Sequence, residues 1–186
     1  YPFGHGLSYA RFAYSGLSVQ RAGEQLVVRC RIENVGSMTA AETVQLYLAP
    51  PRKVAFAPPQ ILTGFARRTL APGEAAEITF TLTRRDVSYY SPAGKCWKVE
   101  GGVYELRLGA SSRDIRLRAA IEWPGDDVCP ADAANWAACP HYAKVDGVFP
   151  KEEFERLLGW AVPCYRPPQK GEYTLNTMPE ELASCR

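Results

Sequence analysis

Gln25-Leu26-Val27-Val28-Arg29-Cys30-Arg31-Ile32-Glu33 sets Leu26, Val28, Cys30 and Ile32 on one side of an extended chain and Val27, Arg29, Arg31 and Glu33 on the other. A period of two marks a strand with one dry face, because successive side chains of extended backbone point to opposite sides. Asn34-Val35-Gly36-Ser37 then turns the chain. The alternation returns in Val44, Leu46 and Leu48 against Thr43, Gln45 and Tyr47, and again in Ile78, Phe80 and Leu82 against Thr79, Thr81 and Thr83. Ala71-Pro72-Gly73-Glu74 and Glu100-Gly101-Gly102 supply further turns. Beyond them Tyr104, Leu106 and Leu108, then Ile115, Leu117, Ala119 and Ile121, point inward, with Arg116, Arg118 and Glu122 facing out. Short strands separated by turns every ~8 to 12 residues predict an all-β antiparallel sandwich with Leu106 and Leu117 in its core. Cys30, at an inward position, reads as a small buried hydrophobe.

The 186 residues suffice for one domain with a sizeable core plus an appendage. Lys and Arg (22) nearly balance Asp and Glu (20), for a net charge of +2, so no charge excess points to nucleic acid or to a membrane surface as partner. The charge is uneven along the chain. Residues 1–123 hold 16 basic and 10 acidic side chains and residues 124–186 hold 6 and 10, a pattern that favours the tail folding back on the body. No apolar run approaches the ~20 residues that span a bilayer. The chain opens at Tyr1 without a signal-peptide pattern and reads as a piece cut from a longer protein. Of the six cysteines, Cys30 and Cys96 lie in the first part and Cys129, Cys139, Cys164 and Cys185 in the last third, without Cys-x-x-Cys spacing. That arrangement favours a disulfide within the tail over a metal site built from Cys129, Cys139 and His141.

After Trp123-Pro124-Gly125 the periodicity stops, and residues 125–150 read as irregular chain rich in Ala, Asp and Pro. Pro150 opens a short helix in which Phe154, Leu157 and Leu158 share a face, Glu152 and Glu153 suit the positive end, and Gly159 can cap the other. Thr177-Met178-Pro179-Glu180 has the form of a capping box and predicts a second short helix. Neither is long enough to stand alone in water, so Phe149, Phe154, Leu157, Leu158 and Trp160 are expected to pack on the sandwich or on a partner.

Gly4-His5-Gly6-Leu7-Ser8-Tyr9 sets a histidine three residues before a serine in a glycine-rich turn. A nucleophile elbow needs a buried strand ahead of the serine and a glycine where Ala10 stands, and only seven residues precede Ser8. The other histidine, His141, is far along the chain. The stretch reads as a joint, with Gly4 and Gly6 bending it and Phe3, Leu7 and Tyr9 able to pin it between two bodies.

Five motifs then follow in order: Pro2 to Tyr9; Glu33-Asn34-Val35-Gly36 with Val44-Gln45-Leu46-Tyr47; Pro59-Gln60-Ile61-Leu62-Thr63-Gly64-Phe65; Leu70-Ala71-Pro72-Gly73-Glu74; and Trp97 with Gly109-Ala110-Ser111-Ser112-Arg113-Asp114-Ile115. Together, over residues 1 to about 121, they resemble the immunoglobulin-like, fibronectin type III-like domain of family 3 glycoside hydrolases, the β-glucosidase and β-xylosidase group. The resemblance implies three parts: residues 1–11 as the connection from a preceding α/β domain, residues 12–123 as the sandwich, and residues 124–186 as a partly helical extension. It also implies catalysis elsewhere, by an aspartate nucleophile on a (β/α)8 barrel and a separate acid/base carboxylate, about 5 Å apart in a retaining enzyme. Nothing in this chain matches the barrel motifs, so no catalytic, cofactor-binding or metal-binding residue is assigned. Phe154-Glu155-Arg156-Leu157-Leu158-Gly159 with Pro163 resembles a segment downstream of this domain in members whose barrel comes last, which makes the chain an internal slice of a longer enzyme.

The expected work is structural: bracing the catalytic domains of the same parent chain, with the Pro50 to Gln60 connection lent to the rim of a glycoside site. The alternatives are a carbohydrate-binding module and an interaction module that forms homo-oligomers. Trp97, Tyr89, Tyr90, Trp123 and Trp136 are the rings that could stack on sugars, but Trp97, beside a Val-Glu-Gly turn, reads better as a buried plug of the sandwich. Asp86, Asp126 and Asp127 read as turn-capping residues ahead of a calcium or acid/base role. Arg67-Arg68 and Arg84-Arg85 read as a solvated face or a contact with a neighbouring domain.

Overall fold

A computed structural model describes residues 1–53, 56–144 and 147–163. The predicted helix at Thr177, and Cys164 and Cys185, lie outside the described residues. Among the described residues nine strands run in order: β1 (Phe12–Ala22), β2 (Gln25–Asn34), β3 (Ala40–Ala49), β4 (Ile61–Leu70), β5 (Ala75–Leu82), β6 (Ser88–Ser91), β7 (Cys96–Val99), β8 (Gly102–Gly109) and β9 (Ile115–Trp123). They form a three-stranded sheet β1-β2-β5, a four-stranded sheet β4-β3-β8-β9 and a separate ribbon β6-β7, with every pairing antiparallel. The fold is an all-β sandwich. Leu26, Val28, Cys30 and Ile32 of β2 and Ile78, Phe80 and Leu82 of β5 meet Val44, Leu46 and Leu48 of β3 and Tyr104, Leu106 and Leu108 of β8 in one core. Tyr104 is fully buried and donates its hydroxyl to the Glu100 carbonyl at 2.7 Å, so the ring enters the core without orphaning its polar end.

Four features depart from the sequence reading. β1 is a strand that the alternation did not disclose, because a bulge between Ser15 and Ser18 lets Phe12 and Tyr14, then Leu17 and Val19, reach the core with a step of three in the middle. β4 carries a similar slip, Leu46 pairing with Gly64 and Tyr47 with Leu62, so Thr63 is an extra residue on an edge strand. The outer face of β3 is also covered: Gln45 and Tyr47, which the alternation put in solvent, are 4% and 3% exposed. Leu117, predicted as core, packs against it from β9 but is only partly buried.

The segment read as irregular, residues 125–150, contains α1 (Pro130–Ala138) and α2 (Pro140–Ala143). The local reasons were in the sequence. Pro130 sits at the first helical turn, Asp132 lies near the positive end, and Ala133, Ala134, Ala137 and Ala138 are strong helix formers. The chain divides into two compact units, Tyr1–Asp146 and Gly147–Arg186. In the first, α1 is tied to the ribbon where Ser91 donates its hydroxyl to Asp132 at 2.5 Å. In the second, α3 (Lys151–Leu158) follows Pro150, carries Glu152 and Glu153 in its first turn, and ends at Gly159 in the left-handed conformation (φ 85°). Glu155 takes the Lys151 ammonium at 3.2 Å and the Val162 amide at 2.7 Å, and these two partners, the Val162 amide foremost, hold its carboxyl below the usual range.

Candidate functional site

The covered face of the four-stranded sheet is where the joint lies. Gly4 (φ 77°) rests on Gln45 so closely that a Cβ there would lie 2.1 Å from Nε2, so both the backbone angle and the space call for glycine. The Phe3 carbonyl accepts the Ser112 amide at 2.9 Å, and Ser8 spends its hydroxyl accepting the Ala10 amide at 3.1 Å, the local turn that a joint needs. Beneath them runs a polar network. Tyr47 donates to Gln45 Oε1 at 2.5 Å, Gln45 Nε2 donates to the Ala110 carbonyl at 2.9 Å, and burial pushes the Tyr47 hydroxyl pKa up. Gln60, at the end of the Pro50 to Gln60 connection, donates to the Ser112 carbonyl at 2.7 Å and accepts Arg107 at 2.9 Å. Glu105 accepts Arg118 at 2.7 Å and Arg107 at 2.5 Å, and these guanidinium groups, Arg118 foremost, hold its carboxyl below the usual range. None of this network was legible in the sequence, where its members occupy the polar half of an alternation. While the backbone of the joint is held, its apolar groups stand in solvent: Phe3, Leu7 and Tyr9 are 65%, 97% and 96% exposed, and Phe65, the β4 partner of Gln45, is 70% exposed.

The ribbon corrects the reading of Trp97. Its ring is 48% exposed, not a buried plug, because four-residue strands outside both sheets of the sandwich have no opposing sheet to enter. Trp123, 4% exposed at the end of β9, lies in the core instead. Over the Trp97 ring lies the Arg85 guanidinium at 3.3 Å, with Tyr90 edge-on at 5.5 Å. One face of the indole is therefore taken by a cation and is not open to a sugar. Tyr89 is half-buried, and burial raises its hydroxyl pKa.

The aspartates read as caps have structural partners. Asp86 accepts the Thr83 amide at 2.7 Å and its hydroxyl at 2.8 Å, closing the 3-10 turn Arg84–Val87. Asp126 accepts Arg84 at 2.5 Å and the Val99 amide at 2.7 Å, and the Asp127 carbonyl accepts Lys98 at 2.7 Å, so the chain leaving β9 is fastened to β7. Arg67 and Arg68 are exposed on β4, where Arg67 donates to Thr43 at 3.3 Å. Cys30, Cys96 and Cys129 carry free thiols, and burial pushes the Cys30 pKa up to about 11. Among the described residues no group of three His, Cys, Asp or Glu side chains converges to hold a metal.

The Arg84 guanidinium, then the Val99 amide, hold the Asp126 carboxyl below its ordinary value. A carboxyl whose pKa is lower folded than unfolded stabilises the fold above the unfolded value, and the gain is lost as pH falls through the lowered one. The pair is half exposed, so screening keeps the effect small. Urea midpoints measured from pH 6 to pH 2.5 should fall more steeply for the unaltered chain than for Asp126→Asn; parallel curves would show the ion pair to be without effect.

The family model of the fibronectin type III-like domain matches residues 42–112. The chain carries a fibronectin type III-like domain. The match spans β3 to β8, which hold the covered face, the ribbon and much of the core. The chain is 40% identical over 125 residues to thermostable β-glucosidase B of Acetivibrio thermocellus, covering 65% of this chain and 17% of that protein. It is 35% identical over 151 residues to exo-α-(1->6)-L-arabinopyranosidase of Bifidobacterium longum, covering 78% and 20%. Among solved structures, β-glucosidase 3B from Thermotoga neapolitana is similar at a TM-score of 0.61 and 42% identity, over 64% of this chain and 17% of that one. The GH3 β-glucosidase of Bifidobacterium adolescentis is similar at 0.66 and 38%, over 78% and 22%. The shares of 78% are larger than residues 1–123 alone can supply, so these two likenesses reach past the sandwich strands. The chain spans about a fifth of the length of the relatives it matches.

Proposed function

We propose that the chain is a non-catalytic accessory domain of a family 3 glycoside hydrolase of β-glucosidase type, and that it braces the catalytic domains of the same parent chain. The observation that carries this reading is the joint. Its backbone is held on the sandwich through Gly4 and the Phe3 carbonyl, while Phe3, Leu7 and Tyr9 are exposed, as is Phe65, the partner of the Gln45 on which Gly4 rests. A rigid backbone that presents large apolar groups to solvent is a surface made to be covered. Residues 1–11 then serve as the connection, residues 12–123 as the brace and residues 124–186 as its extension, with the Pro50 to Gln60 loop reaching the rim of the glycoside site. Binding of sugar on an open aromatic row is less well supported, since Arg85 covers Trp97 and Trp123 is buried.

Two measurements test the reading. The purified chain is expected not to hydrolyse aryl β-glucosides or β-xylosides; turnover that disappears on mutating one of its own Asp or Glu residues would overturn the non-catalytic part. In the parent enzyme, Leu7→Ser with Tyr9→Ser is expected to lower the temperature of thermal inactivation, while the isolated chain carrying the same changes unfolds at an unaltered midpoint because both side chains are exposed in it. An unaltered inactivation temperature in the parent would overturn bracing through the joint.

A further inference from the structure

Cys96 opens β7 and Cys129 precedes α1, and the same pair of contacts brackets both. In the ribbon Cys96 pairs with Ser91, and Lys98 pairs with Tyr89. Alternation along each strand puts these four side chains on one face and Tyr90 and Trp97 on the other. The turn joining the strands bears this out. A Cβ at Gly94 would lie 2.9 Å from Ser91 Oγ, 3.3 Å from Cys96 Sγ and 3.6 Å from Lys98 Cε, so three side chains of that face converge over one glycine. The same face receives the chain that leaves β9. Lys98 donates to the Asp127 carbonyl at 2.7 Å, and Ser91 donates to the Asp132 carboxylate at 2.5 Å. Cys129 lies between these two anchors in the chain, and its own carbonyl accepts the Ala133 amide at 3.1 Å, which fixes its backbone at the start of the helix. Burial raises the Tyr89 hydroxyl pKa, and Asp132, Glu100 and Cys129 nearby add to the rise, as they must if Cys129 also rests against this face.

The geometry points to Cys96 and Cys129 as a dithiol that closes to a disulfide, a covalent staple between the ribbon and the helical segment after β9. Both carry free thiols, Cys96 exposed and Cys129 half-buried. The exposed thiol meets the oxidant first. As a thiolate, Cys96 Sγ attacks one sulfur of a small disulfide such as oxidised glutathione and expels one small thiolate; Cys129 Sγ then attacks the mixed disulfide at Cys96, forms the Sγ–Sγ bond and expels the second. The two protein thiols lose two electrons and two protons, and the small disulfide becomes two small thiols. Because the Asp127 and Asp132 contacts already hold strand and segment together, little chain freedom remains to be lost when the bond forms in the folded state. The link constrains the unfolded chain instead, and so favours the fold. It also takes Cys129 out of the pairing within the tail that its place in the sequence favoured. The inference stands on the geometry of this chain and not on the role of the parent.

The test is oxidation of the folded 186-residue chain with oxidised glutathione, followed by alkylation and digestion with trypsin and chymotrypsin, the latter parting Cys129 from Cys139 at Trp136. Mass spectrometry is expected to find Cys96 joined to Cys129 as the main product, and the same oxidation in urea is expected to scatter the pairing among the other cysteines. The urea midpoint of the oxidised chain should rise above that of the reduced chain, and dithiothreitol should return it. Cys96→Ser, at an exposed position, should leave the midpoint of the reduced chain unaltered and abolish the rise. Cys96 recovered as an alkylated thiol or as a stable mixed disulfide with glutathione would overturn the staple. So would Cys96 joined to Cys139, Cys164, Cys185 or a second copy of the chain, a link formed in equal yield in urea, or a link that leaves the midpoint where it was.

Discussion

Replacing Leu106 by alanine is expected to lower the unfolding free energy by about 2 to 5 kcal/mol, the range for a buried leucine whose surroundings cannot collapse onto the gap. Leu106 is 0% exposed. It pairs with Leu48 on one side and Ala119 on the other, in a strand flanked by neighbours at both edges. Tyr104 and Leu108, next on the same face, are themselves core residues with little freedom to move. Leu117 makes the informative contrast. It belongs to β9, at the edge of the sheet, and is partly open to water, so its truncation should cost about half as much. Urea unfolding monitored by tryptophan fluorescence gives both numbers. A loss below about 1 kcal/mol at Leu106, or a larger loss at Leu117 than at Leu106, would show that the faces of β8 and β9 are wrongly assigned.

Asn34→Ala is expected to be of comparable severity, about 3 kcal/mol or more, for a different reason. The side chain is fully buried and donates to the Leu70 carbonyl at 2.8 Å and the Met38 carbonyl at 2.9 Å, while its oxygen accepts the Gly36 amide at 3.0 Å. Its own amide donates to the Glu74 carbonyl at 2.9 Å, and its own carbonyl accepts Gly73 at 2.8 Å. One residue therefore joins the end of β2 to the approach to β3 and to the turn between β4 and β5. Removing the side chain strands the Leu70 carbonyl away from water and leaves the part-buried Met38 carbonyl and Gly36 amide to seek new partners, at roughly 1 to 3 kcal/mol for each that finds none. Asn34→Asp separates hydrogen bonding from shape. At pH 7 it turns a carboxylate toward two carbonyl oxygens, and it should recover part of its stability as the pH falls and protonation restores a donor. A variant equally stable at pH 7 and pH 4, relative to the unaltered chain, would mean that the amide donor is dispensable.

The turn at Asn34 was legible as a turn, but its bond to Leu70 was not, because a hydrogen-bond partner 36 residues away leaves no local mark. The strands β2, β5, β8 and β9 were legible because each has one drier face and so writes a period of two; β3 writes the same period in residue type, apolar Val44, Leu46 and Leu48 against Thr43, Gln45 and Tyr47, although both of its faces are covered. β1 was not, since its bulge shifts the phase at Gly16 and Leu17, and β6 and β7, at four residues each, are too short to write a period. Trp97 was misjudged by a rule that is sound on average: a tryptophan near a strand is commonly buried, but this one belongs to a ribbon outside the sandwich, and Arg85 meets its hydrophobic demand by covering it. The helix α1 was missed by weighing Ala, Asp and Pro as loop residues when their order, Pro before Asp before alanines, is that of a helix start. The joint was legible as a joint, and the network that it covers was not.

The pairing of β3 with β8 sets a delay in biosynthesis. Gln45 and Ala110 are 65 residues apart, and at about 5 to 20 residues per second the ribosome needs roughly 3 to 13 seconds to make the intervening chain. Throughout that interval β3 has β4 as its available sheet partner, and its other backbone edge, from Gln45 to Ala49, waits unpaired for β8. Arg67 and Arg68 stand exposed on β4, the edge of that unfinished hairpin, where paired positive charges repel a second copy in the same state. The nascent chain thus carries its own guard against self-association until its central strand is delivered.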